Sequence, residues 1–104
     1  MLFIVTLTYA RPLEEVNSQL DAHRDWLVAH TVAGRIAVAG PLEPQTGGLI
    51  VAHCDNRAEL DQMMAEDPFV IKELVTVEVL CSTPALRHAD FSARWATHAK
   101  VVAG

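Results

Sequence analysis

Two residues in this chain stand where a purely structural sequence would place something else. His23 falls on the apolar stripe of a helical stretch, in line with Leu13, Val16, Leu20 and Leu27, where an aliphatic side chain is expected. Burying an imidazole is costly unless the ring is hydrogen-bonded. Either a neighbouring acceptor satisfies it or it faces a pocket. Asp67 precedes Pro68 and Phe69. An acid before proline serves ordinary turn chemistry, and it also offers a carboxylate on a loop. Brought together, the two would form an acid/base pair in which the carboxylate orients the ring, fixes its tautomer and favours its charged form. Their separation in sequence leaves that meeting to the fold.

Other groups are weaker candidates. Ala39-Gly40-Pro41 places a glycine where the backbone could approach a ligand closely and line a pocket; a strand-ending turn reads the same way. Thr46-Gly47-Gly48 carries the same ambiguity and is too short and misplaced to cradle phosphate. His30 lies one heptad after His23 near a helix C-terminus, where the dipole favours histidine. His53 ends a strand, and His88 and His98 read as surface groups. No HExxH, HxH or CxxC spacing points to a metal, and neither GxSxG nor a cysteine-nucleophile signature occurs. The expected chemistry therefore uses neither a metal nor an organic cofactor.

The elements that must position these groups follow from periodicity. Leu2 to Tyr9 reads as a buried strand. Pro12 opens a helix running from Leu13 to about Ala33, and Gly34 stops it. Ile36 to Ala39 is a short strand, followed by the loop PLEPQTGG. Leu49 to Cys54 is a third strand. Asp55 or Asn56 caps a second helix, roughly Arg57 to Ala65, with Leu60, Met63 and Met64 inward. Asp67-Pro68-Phe69 ends that helix. Leu74 to Cys81 alternates as a fourth strand, with Val75, Val77 and Val79 on one side.

The order β-α-β-β-α-β predicts an α+β, ferredoxin-like domain over residues 1–82: an antiparallel sheet with both helices on one face. The strands are apolar on both faces, so the uncovered face calls for a second sheet from an identical subunit, closing a dimeric α/β barrel. Residues 83–104 form an extension in which Phe91, Trp95 and Val102 recur at helical spacing behind Asp90 as cap. A short amphipathic C-terminal helix is expected there.

Composition narrows the partners. The 104 residues suit a single compact unit, and 51% hydrophobic content excludes disorder as the main state. Eight basic against thirteen acidic residues, with no basic cluster, argue against nucleic acid. No apolar run spans a bilayer, and MLFIVTLTYARP lacks the basic start and cleavage site of a signal peptide. Cys54 and Cys81 read as reduced thiols of a cytoplasmic protein.

Taken in order, His23 with Trp26-Leu27, Gly34-Arg35-Ile36, Ala39-Gly40-Pro41, Gly47-Gly48 and Asp67-Pro68-Phe69 resemble the YciI-like (YCII-related) family of the dimeric α/β-barrel superfamily, over about residues 1–82. The resemblance implies a ferredoxin-like, commonly dimeric fold and a catalytic pair at His23 and Asp67 beside a small cleft. Many members carry an arginine three residues before that histidine; here the position is Leu20. The resulting expectation is a cofactor-independent enzyme acting on a small cyclic or aromatic compound by elimination, isomerisation or hydrolysis. His23 would be the general acid/base, Asp67 its orienting partner, Ala39 and Gly40 the pocket backbone, and Pro41 and Phe69 apolar walls. The alternatives are a non-catalytic dimeric module that binds a small ligand in the same cleft, and a structural dimer in which the two residues merely satisfy each other.

Overall fold

The alternation of Phe3, Val5 and Leu7 decides which side of the first strand is buried, and the core is built on that side. The computed structural model describes residues 1–102. β1 (Leu2–Tyr9) is followed by α1 (Leu13–Asn17), α2 (Leu20–Val32), β2 (Ile36–Pro41), β3 (Gly47–His53), α3 (Arg57–Met64), α4 (Pro68–Ile71) and β4 (Val75–Ser82). The four strands lie in the order β2-β3-β1-β4, and every neighbouring pair is antiparallel. This is the ferredoxin-like arrangement. On the inner face Phe3, Val5, Leu7, Ile36, Ile50 and Ala52 pack against Trp26 of α2 and against Leu60, Met63 and Met64 of α3. A smaller cluster joins Val16, Phe69 and Leu74 to Tyr9 and Leu20.

Among the described residues no α-helix covers the opposite face. Its register aligns Val38 with Val51, Val51 with Ile4, and Ile4 with Leu80, an aliphatic row across all four strands. Val38 is 59% and Leu80 72% exposed at its two ends.

The helix expected from Leu13 to about Ala33 is two helices. The Ser18 hydroxyl bonds the Glu15 carbonyl at 2.6 Å and so competes with the helical ladder, and α2 restarts at Leu20. α2 then ends in a Schellman motif. Gly34, in the left-handed region at φ 81, donates to the Thr31 carbonyl, and the Arg35 N–H reaches the His30 carbonyl. Asp67-Pro68-Phe69, expected only to stop the second helix, also starts α4, with Asp67 as its N-cap and Pro68 in its first turn.

The extension corrects the expectation of an amphipathic C-terminal helix. Leu86–His88 (β5) and Lys100–Val102 (β6) pair in parallel, and only Ala93–Trp95 makes a single 3₁₀ turn. Asp90 caps no helix; its N–H donates to His88 Nδ1. A helix this short has little stability of its own, and tertiary bonds outcompete it. The Trp95 indole N–H donates to the Gly34 carbonyl and the Arg94 guanidinium to the Ala33 carbonyl, each at 3.1 Å, at the open C-terminal end of α2. Ala103 and Gly104, the end of the expected helix, lie outside the described residues.

Candidate functional site

A cavity of about 410 Å³ opens between α2 and the β2–β3 end of the sheet. His23 enters it from α2 and Phe69 from α4, while Ala39, Gly40 and Pro41 line it from β2. Asp67 is not among the lining residues; it lies behind His23 with no exposure to solvent.

His23 Nδ1 and Asp67 Oδ1 are 2.7 Å apart, in a buried contact. The same Oδ1 accepts the Phe69 N–H at 3.0 Å as the α4 cap. An oxygen already serving as acceptor to Phe69 takes the Nδ1 hydrogen in the same way. The neutral ring therefore carries its proton on Nδ1 and presents the Nε2 lone pair. Nε2 has no hydrogen-bond partner among the described residues, so it is the ring atom left for the cavity. Phe69 stacks on the imidazole at a centroid distance of 3.9 Å with planes 5° apart, and Trp26 lies 5.9 Å away at 28°. The ring is thus held in one orientation by its acceptor and by two aromatic neighbours, one of them stacked closely enough to support a cationic imidazole. Asp67 Oδ2 is buried and has no hydrogen-bond partner among the described residues.

The tripeptide Asp67-Pro68-Phe69 accounts for much of this geometry. Pro68 in the first turn and the Asp67 cap start α4, and the turn swings Phe69 under the ring. Sequence reasoning expected Phe69 as a wall; the structure makes it the backing of the imidazole as well.

His30, one heptad on, is committed at both nitrogens. The Arg35 Nε–H donates to Nδ1 at 2.9 Å, so Nε2 carries the hydrogen and faces Glu66 Oε1 at 3.2 Å. That chain of contacts borders a separate hollow of about 230 Å³ beside Glu59 and Gln62.

The glycines differ in role. Gly40, expected to allow close backbone approach, has nothing within 4 Å of where a Cβ would sit. A side chain there would enter open space, so its contribution to the cavity is volume. Gly47, read with the same ambiguity, is the position of close approach: a Cβ would overlap the Leu7 carbonyl. Sequence reasoning missed four polar lining residues, Tyr9, Asn17, Arg24 and Gln45. Arg24 adjoins His23 but lies off the apolar stripe, which is why periodicity gave no sign of it. Leu20 lines the cavity as an apolar wall. Among the described residues no group of three or more His, Cys, Asp or Glu side chains is placed to hold a metal, and no helix is long and apolar enough to cross a membrane.

A model of the YCII-related domain matches residues 1–81. Among solved structures, the chain is similar to 5-chloro-2-hydroxyhydroquinone dehydrochlorinase from Burkholderia phenoliruptrix AC1100 in complex with 2,5-dihydroxybenzoquinone. The TM-score is 0.70 at 22% sequence identity, covering 81% of this chain and 95% of that one. No curated protein matches.

Proposed function

The chain belongs to the YCII-related family, and from that premise we propose that it is a small-molecule enzyme in which His23 transfers a proton to and from a cyclic or aromatic substrate held in the α2/sheet cavity. One observation carries the reading: the imidazole is tethered at Nδ1 to a buried carboxylate while Nε2 is left free on a cavity-lining ring. That is the arrangement of a general base whose protonated form is stabilised by its partner. Asp67 acts through His23 as a positioning residue. In an elimination, Nε2 takes a proton from the substrate, the electron pair left behind forms the new double bond, and the leaving group departs with its own bonding pair. In an isomerisation, Nε2 returns the proton to a different atom. In a hydrolysis, it takes the proton of an attacking water. The pair supplies the acid/base chemistry itself, and the reading calls for no metal or organic cofactor. A dehydrochlorinase of a hydroxylated ring with the same fold supports the elimination branch.

The test is incubation with 5-chloro-2-hydroxyhydroquinone and related hydroxylated or halogenated rings, following halide release by ion chromatography and uptake of solvent deuterium by NMR. Turnover by the native protein and its loss in His23→Gln, with affinity kept, are expected. A variant that changes affinity alone, in a protein without turnover, would identify a non-catalytic binding module.

The same reading includes a second copy of the chain as partner. Among the described residues no α-helix covers the row Val38–Val51–Ile4–Leu80, and an identical row on another subunit is its natural complement.

A further inference from the structure

The charge distribution around the two hollows differs. The chain has thirteen acidic residues and eight lysines and arginines. Yet among the described residues the larger cavity is lined by no Asp or Glu, and its one formally charged side chain is Arg24. The smaller hollow has Glu59 and Glu66 opposite Arg35, whose guanidinium is already engaged by His30. Arg24 forms no ion pair or hydrogen bond among the described residues, although Asp21 and Asp25 lie on the same helix. A guanidinium is a planar fork of donors matched to carboxylate-like oxygens, and here it lines the same cavity as the His23 ring.

We propose that Arg24 is the specificity-determining residue of the cavity and that the substrate is an anionic ring compound. Its carboxylate, phenolate or enolate oxygens meet the Arg24 guanidinium while the ring lies against Leu20, Leu27 and Phe69. This rests on the functional reading above and deepens it. An anion held by Arg24 lies in the same cavity as His23, because both residues line it. The guanidinium offsets the charge that develops on the ring when Nε2 removes a proton.

The test compares two rings of similar size by isothermal titration calorimetry: 2,5-dihydroxybenzoquinone, whose acidic enols are ionised at neutral pH, and hydroquinone, which is neutral there. The native protein should bind the anion more tightly. Arg24→Gln should weaken anion binding about tenfold or more and erase the preference, leaving hydroquinone binding unchanged. Arg24→Lys should recover part of it. Arg24 is exposed and makes no contact the fold depends on, so an unchanged melting temperature checks both variants. Equal binding of the anion by native and Arg24→Gln protein overturns the proposal, as does a native protein that prefers hydroquinone or binds neither ring. Failure of the His23 reading looks different: anion binding that depends on Arg24, with no turnover that depends on His23.

Discussion

His23 and His30 occupy matching turns of α2, and the difference between them lies in how many nitrogens are already spoken for. His30 is bonded on both sides, by Arg35 and Glu66; His23 is bonded on one, by Asp67. His23→Gln is therefore expected to lower turnover by about 10²–10⁴-fold, while His30→Gln, which reaches no atom of the larger cavity, should leave turnover unchanged; steady-state kinetics on the halide-release assay separates them. The two thiols differ as clearly. Burial pushes the Cys54 thiol above its ordinary value, with Glu59 adding to the effect, and Cys81 is exposed. The native protein should react with one equivalent of a thiol reagent such as DTNB at neutral pH, through Cys81, and with a second only on unfolding. His23 stood out in sequence because it interrupts an apolar stripe, whereas Asp67 alone read as turn chemistry and was singled out by the family resemblance. Arg24 was not: an exposed arginine on a helix matches the ordinary solvated face, and only the fold turns it toward the cavity.

Short elements fix how far those side chains can move. Asp67 caps the four-residue α4 and holds His23 with a single oxygen, so local helix and site stand on one carboxylate. The glycines of the β2–β3 region give an element-level contrast. Gly47→Ala forces β1 and β3 apart at the Leu7 carbonyl and should cost about 1–3 kcal/mol in urea unfolding. Gly40→Ala meets nothing within 4 Å and should stay within about 0.5 kcal/mol of the native protein. β4 was readable from its period of two, β1 from its run of β-branched and aromatic residues, and the α2 end from Gly34. The break between α1 and α2 was not, because Ser18-Gln19 is no helix breaker by composition and acts through one hydroxyl bond to Glu15. The extension misled for a related reason: the helical spacing of Phe91 and Trp95 is real, but bonds from Arg94 and Trp95 to the carbonyls that end α2 hold that segment otherwise.

For the whole molecule, the proposed dimer rests on the sheet face that no α-helix covers among the described residues. Static light scattering should give about twice the chain mass of 11.4 kDa, and Leu80→Glu, at an exposed end of the aliphatic row, should shift it to the monomer while leaving secondary structure intact. His53 shares that face, alternating with Val51 along β3. Its imidazole is held below its ordinary value, first by burial and then by the nearby Met1 ammonium, with Arg94 adding to this and Asp55 and Glu59 opposing it. The fold thus favours the neutral ring. That contribution is complete above the ordinary histidine value near 6.5 and is lost as pH falls through the lower folded value. The melting temperature should drop on acidification from pH 7 toward 5, and less steeply in His53→Gln. Beyond assembly, the two rims of the sheet are unequally protected. β2 ends in Pro41 and carries an irregular register between Ile36 and Val38, features that discourage a foreign strand from adding to a rim. β4 runs eight residues with Glu78 as its one charge. Its outer backbone is the place where a partly unfolded neighbour can zip on, so aggregation on heating or overexpression should begin there.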